Sequence, residues 1–187
     1  ADFIVDLHGG DINEKLTPII FFPYASGEDI KIYVRDIASR MSVDFRVGSY
    51  AENGLYSYAT KKGIPAMLYE RGAHGMWSEE DVLTEKEDMY KLMEILGIIK
   101  EGYDIDVNLN QREITKAEYE QADSDGCWYP YFTNGDEIKK GELLGVLKSI
   151  DGEIIQRVEA KFDASVLYYT LSLGVRKNDT LMAYGCE

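Results

Sequence analysis

The chain has 187 residues, 45% of them hydrophobic, enough for one large or two small globular cores and too apolar for a disordered class. Its formal net charge of −14 repels phosphate backbones and anionic lipid surfaces, which excludes nucleic acid and membranes as partners and leaves solubility as the use of the acidity. Cys127 and Cys186 are too few for a disulfide framework, and neither a secretory h-region nor an apolar run of spanning length is visible, so the expectation is a cytoplasmic protein with reduced thiols.

Ala1 leads straight into a strand pattern, as a processed terminus or the start of a segment of something longer would. Residues 3–8 and 18–24 (PIIFFPY) are short, β-branched or aromatic and bounded by Gly and Pro, the pattern of buried strands. Between Gly27 and Ser42, Ile30, Tyr33, Val34, Ile37, Ala38 and Met41 recur at helical spacing and predict an amphipathic helix. VDFRVGSY (43–50) predicts a strand, NGLYSYATKKG (53–63) a short helix stopped by Gly63, and IPAMLYE (64–70) another strand. Strands alternating with helices imply a parallel or mixed sheet with helices on its faces. Ser78 followed by Glu79, Glu80 and Asp81 opens a long helix, since Ser caps free amides and acids suit the positive end of the dipole. Its apolar set is Val82, Leu83, Met89, Leu92, Met93 and Leu96, and the acidic run 79–88 reads as a solvated helix start. Past residue 103 helical periodicity fades. Turn pairs such as Asp125-Gly126, Asn134-Gly135, Lys140-Gly141, Asp151-Gly152 and Asn178-Asp179 then separate short strands. The expected organisation is an α/β part over 1–103, then the extended YDIDVNLNQ linker and an all-β domain over 104–187.

Two stretches carry chemistry. In VDLHGGD, alternation along a strand puts Asp6 and His8 on one face, where a carboxylate can orient an imidazole or stand behind a metal ligand; a hydrogen-bonded histidine at a strand end is the alternative. Gly9 and Gly10 permit a tight turn and close approach of a ligand. In IPAMLYERGAHG, Glu70 ends an otherwise buried strand ahead of an open loop, the placement of a general base or of a salt-bridged strand end; His74 is a loop residue or a metal ligand. Trp77, Trp128 and the tyrosines read as core or interface filling.

DLHGGD, GLYSYATKKGIPAMLYERGAHG about sixty residues on, the long helix ending in LGII, and the β-rich tail with NGDEIKKGELLG together resemble the succinylglutamate desuccinylase/aspartoacylase family. The resemblance runs in order along essentially the whole chain. It implies part of a carboxypeptidase-like α/β mixed sheet with flanking helices, followed by a small β-barrel akin to biotinyl/lipoyl domains. It implies a zinc-dependent amidohydrolase, or deacylase, cleaving the N-acyl bond of a small amino-acid derivative, with His8 as a zinc ligand and Glu70 as the catalytic base. Asp6, Asp11, Tyr56 and His74 become candidates for supporting the metal ligand or contacting the substrate.

Several departures bear on this. The family takes two further zinc ligands from an H-x-x-E motif upstream of D-L-H, and its substrate-binding arginines lie there too; this sequence has neither, so the zinc site is expected to be incomplete and this chain alone inactive. His8-Gly9-Gly10-Asp11 is an H-x-x-D pair that could make a self-contained set with His74. Where the aspartoacylase branch has an arginine about ten residues before the base, this chain has Thr60, with Tyr56, Lys61 and Lys62 nearby, which disfavours N-acetylaspartate. Lys161, near the carrier-lysine stretch of lipoyl domains, lacks the flanking motif and reads as structural. A sheet short of upstream strands would leave FIVDL as an adhesive edge, so self-association is expected. The reading from a different class is a non-catalytic binding or regulatory module that keeps the fold without metal.

Overall fold

The computed structural model describes residues 1–187. In chain order the elements are β1 (Ile4–His8), β2 (Glu14–Leu16), β3 (Ile19–Pro23), α1 (Glu28–Ala38), β4 (Phe45–Ser49), α2 (Leu55–Lys61), β5 (Ala66–Glu70) and α3 (Glu79–Ile95). They are followed by β6 (Arg112–Ile114), β7 (Lys116–Gln121), β8 (Gly126–Pro130), β9 (Glu137–Ile138), β10 (Leu143–Lys148), β11 (Ile154–Glu159), β12 (Ala164–Thr170), β13 (Gly174–Val175) and β14 (Thr180–Cys186). Two compact units result: residues 1–9, 18–72 and 76–113, and residues 10–17, 73–75 and 114–187.

The first unit is built on a five-stranded sheet of order β1-β5-β3-β4-β6. β1 runs parallel to β5 and β3 parallel to β4, while β5 lies antiparallel to β3, so the sheet is mixed. One face is covered by α1, whose Val34, Ile37 and Ala38 pack with Ile20, Phe22, Met67 and Tyr69 in a single core. Burying each large aliphatic side chain there contributes about 1.5–3 kcal/mol, and this orders a helix too short to persist alone. Tyr33, which shares the helical stripe, is instead 42% exposed and meets Phe3 edge-on at 6.2 Å. On the other face, Tyr56 and Ala59 of α2 pack on Ala66 and Leu68.

The long helix α3 starts as its sequence predicts, with Ser78 Oγ accepting from Asp81 N at 3.0 Å. Its inner face does not follow the apolar pattern. Val82 and Leu83 are exposed, whereas Asp88, at the end of the acidic run, is completely buried. That carboxylate accepts from Ser42 N (2.7 Å), Ser42 Oγ (2.8 Å) and Tyr69 Oη (2.9 Å), with Lys91 Nζ at 3.5 Å. A charge can leave water when its oxygens are saturated in this way. The reading of 79–88 as a solvated start therefore holds for the first turn and fails at Asp88.

The second unit is antiparallel throughout. One sheet has the order β11-β10-β8-β13, the other β2-β12-β14-β7 with β9 also on β12. They share one core, to which Trp128, Leu144, Leu147 and Val158 contribute from the first sheet and Val166, Tyr169, Leu181 and Tyr184 from the second. Trp128 is thus core, as expected, but Trp77 is 75% exposed. The chain enters this unit early, because Glu14–Leu16 pairs with Tyr168–Thr170. Cys127 and Cys186 are free thiols. No helix is long and apolar enough to cross a membrane.

Candidate functional site

His8 and Glu70 are the last residues of two neighbouring strands. β1 and β5 are parallel and paired residue for residue, Asp6 with Leu68 and His8 with Glu70, so the His8 and Glu70 side chains leave the sheet on the same face. His8 Nδ1 is 3.7 Å from Glu70 Oε1, and His8 Nε2 is 3.1 Å from Asp6 Oδ1. A carboxylate accepts and cannot donate, so His8 donates Nε2–H to Asp6, while Nδ1 lies on the Glu70 side beyond hydrogen-bond distance. The His8 side chain is 46% exposed and that of Glu70 18%, so a ligand can reach the ring while the carboxylate is held largely out of water. A polar contact this open adds only about 0.2–1 kcal/mol to stability. Stability alone does not explain the pairing.

The strand end is braced from behind. Arg71 N–H donates to the His8 carbonyl at 3.1 Å, which ties β1 to β5 beyond their last paired residues. The next residue, Gly72, turns the chain at φ 91°, a conformation that side-chain-bearing residues rarely adopt. On the opposite face of β5, Arg71 Nε donates to Tyr69 Oη at 3.1 Å, and the guanidinium also donates to the Ser42 carbonyl. Burial, with the Asp88 carboxylate beside it, raises the Tyr69 phenol far above its usual range, so it stays a donor to Asp88. Glu70 therefore stands on a strand whose other face is fixed by a saturated polar network. No motif marks Asp88, Tyr69 or Arg71 as partners, since their meeting depends on how α3 packs.

The remaining candidates are placed as follows. Asp6 holds the His8 ring. Tyr56 is buried with its hydroxyl 2.6 Å from Ser49 Oγ, at the end of β4; because β5 opposes β3, this is the end of the sheet away from Glu70. Asp11 Oδ1 accepts from Ile12 N at 2.6 Å, and His74, at φ 61°, donates its backbone N–H to the Glu14 carbonyl at 2.9 Å; both belong to the second unit. Gly9 would meet nothing closer than the Arg71 carbonyl at 3.6 Å if it carried a Cβ, so space does not require glycine there.

His8 fits the role of one imidazole ligand with a carboxylate behind it, the arrangement metal-binding histidines favour. No group of three or more His, Cys, Asp or Glu side chains is placed to hold a metal, so a self-contained set is not supported; catalytic zinc takes three protein ligands.

The second unit holds a titratable group that sequence reasoning missed. Glu14 lines a polar cavity of about 240 Å³ with Asp11, Asn13, Thr170, Ser172 and Asp179. Burial, reinforced by the charge of Asp11, pushes its pKa up to about 7.

A mixed α/β sheet followed by an antiparallel two-sheet unit is the architecture of succinylglutamate desuccinylase/aspartoacylase structures, and the resemblance read from the motifs holds at the level of fold. The product-bound ectoine utilization protein EutE (DoeB) from Ruegeria pomeroyi superposes with a TM-score of 0.87 at 17% identity, over 100% of this chain and 59% of that one. A succinylglutamate desuccinylase/aspartoacylase from Rhodobacter sphaeroides gives 0.83 at 19% identity, over 100% and 59%. A succinylglutamate desuccinylase from a Silicibacter species gives 0.80 at 17%, over 99% and 58%. The chain thus spans about three-fifths of the length of these structures. No family model and no curated protein matches the sequence.

Proposed function

We infer that the chain is the part of a cytoplasmic, zinc-dependent amidohydrolase that bears one metal-binding imidazole, His8, and the general base, Glu70, and that its substrate is a small N-acylated amino acid. The observation that carries the reading is the register of His8 with Glu70 at the ends of adjacent parallel strands, with Asp6 on the far nitrogen of the ring. Zinc, when bound, would supply Lewis acidity toward the acyl carbonyl and the attacking water. Glu70 would take a proton from that water at Oε1 or Oε2 and hand it to the leaving amine, a transfer that its restricted exposure favours. His8 would offer Nδ1 to the metal while Asp6 keeps the proton on Nε2. The remaining ligands would come from outside these 187 residues. Two antiparallel sheets around one core support reading the second unit as a biotinyl/lipoyl-like barrel, and Lys161 would be structural there, since its Nζ lies 2.8 Å from Glu118 and 3.1 Å from Glu120. The same reading includes self-association through the open edge of β1.

The test is amine release from N-acetyl and N-succinyl amino acids by the product of the complete coding sequence, with and without zinc. Glu70→Gln is expected to lower kcat by about a hundred- to ten-thousand-fold with little change in KM. His8→Ala is expected to lower the zinc content. Full turnover in Glu70→Gln would remove the base assignment, and no hydrolysis of any such amide would favour a non-catalytic module.

A further inference from the structure

Two asparagines are followed directly by glycine, in Asn53-Gly54 and Asn134-Gly135. At such a pair the glycine nitrogen can attack the carbonyl carbon of the asparagine side chain. The attacking residue has no side chain to stand in the way, and its backbone is free to bring the nitrogen in. By sequence the two pairs are equivalent; in the structure they are not.

Asn134 is held at the atoms the reaction uses. Gly135 N donates to the Val166 carbonyl at 2.8 Å, so the attacking nitrogen is engaged. The Asn134 side chain donates through Nδ2 to Thr17 Oγ1 at 3.1 Å and accepts at Oδ1 from Thr133 Oγ1 at 3.2 Å, so its rotation must break two further bonds. Asn53 lies instead in an exposed stretch ahead of α2. Its flanks are anchored, since the Glu52 carbonyl accepts from Lys61 Nζ at 3.2 Å and the Gly54 carbonyl from Tyr58 N at 2.9 Å. Between those anchors neither the Asn53 side chain nor the Gly54 N–H makes a hydrogen bond. The nucleophile and the carbon it attacks are both free to meet.

We propose that Asn53 is a site of spontaneous deamidation in the folded protein and that Asn134 is protected from it. Gly54 N gives its proton to hydroxide and bonds to Asn53 Cγ; the Cγ–Nδ2 bond breaks, and the nitrogen takes up protons from water and leaves as ammonia. The product is a five-membered succinimide. Water then opens the ring at one of its two carbonyls, which leaves either aspartate or isoaspartate, the latter with the main chain rerouted through the side-chain carbon. Hydroxide and water are the only co-reactants, and nothing is oxidised or reduced. The new carboxylate stands beside the Glu52–Lys61 ion pair, and isoaspartate adds one main-chain carbon at the entry to α2, whose Tyr56 and Ala59 pack on Ala66 and Leu68 of the strand that ends in Glu70. The site is independent of the hydrolase reading, since neither His8 nor Glu70 takes part.

The folded chain is incubated in mildly alkaline buffer and compared with an unincubated control after trypsin digestion, which puts Asn53 in peptide 47–61 and Asn134 in peptide 117–139. Mass spectrometry reads the conversion of amide to acid in each peptide, and an aspartate-specific endoprotease separates aspartate from the resistant isoaspartate. Conversion at Asn53 is expected to outrun that at Asn134 by about ten- to a hundredfold, the effect of the hydrogen bonds that must first open at Asn134, and to quicken with pH. In urea, which releases both pairs, the two rates should converge. Gly54→Ala should lose most of the product that the parent forms in the same interval. That variant folds, because φ at Gly54 is −103° and an added Cβ would meet nothing closer than the Tyr56 ring at 3.4 Å. No conversion at Asn53, equal rates in the folded chain, a difference that persists in urea, or an unchanged rate in Gly54→Ala would each overturn the proposal.

Discussion

Glu14 shows how much a single side chain can depend on residues remote in sequence. The tripeptide EKL carries no sign of burial, yet pairing with β12 sets this carboxylate in a cavity with Asp11 and Asp179 and raises its pKa to about 7. Unfolded, the group titrates near its ordinary 4.5. The folded state therefore prefers the protonated form. Its relative stabilisation is complete below pH 4.5, declines as pH rises from about 4.5 to about 7, and is gone above that. Glu14→Gln, which keeps the shape and cannot ionise, should match the parent in urea unfolding near the lower limit and exceed it by on the order of 2 kcal/mol above pH 7, allowing for partial solvent access. A difference that is the same at both pH values would show that Glu14 is not desolvated. His8 and Glu70 contrast with it. Each was visible as a charged or polar end to a strand, but their pairing required β1 and β5 to be neighbours, and nothing within either strand states that.

Elements whose order is set by local spacing were the legible ones. The apolar steps of α1, the Ser78 cap of α3 and the turn glycines at 135, 141 and 152, all at positive φ, follow from short-range sterics and hydrogen bonding. The inner face of α3 was not legible, because Asp88 is buried by donors from Ser42 and Tyr69 rather than by its own neighbours. Nor was β2, three residues long and mostly polar, whose strand character comes from β12. In β10, Gly145 illustrates a requirement set by packing. A Cβ there would stand 2.4 Å from the Trp128 ring and 2.6 Å from the Tyr129 carbonyl, and neither the buried ring nor the paired backbone has room to retreat. Gly145→Ala should destabilise the chain by about 2–3 kcal/mol, as overpacking does, and lower the thermal midpoint. Gly174 has nothing within 4 Å of the same position, so Gly174→Ala should move the midpoint little. Equal shifts in the two variants would place the sensitivity in strand glycines generally rather than in the contact with Trp128.

At the scale of the whole molecule the open question is what meets the edge of the first unit's sheet. β1 pairs only with β5 and ends the strand order on that side. Ile4 N donates to the Pro65 carbonyl and the His8 carbonyl accepts from Arg71 N, so alternate residues face inward and Val5 and Leu7 present their backbone groups at the open edge. Leu7 is also 50% exposed, which adds apolar surface to those free groups. Such an edge is a template for pairing with a second copy. Against this stand Asp2 and Asp6 in the same stretch and a net charge of −14, which repel a like chain over a Debye length of about 10 Å at 0.1 M salt. Association should therefore strengthen as salt is raised, the reverse of an interface held by ion pairs. Val5→Pro removes one outward amide and leaves the bonds to β5 in place, since proline is tolerated on edge strands. Sedimentation velocity should show the chain forming dimers or larger species with rising concentration and salt, and Val5→Pro remaining monomeric under the same conditions. A parent chain that stays monomeric throughout, or a proline variant that associates equally well, would show that this edge is not adhesive and would remove self-association from the reading.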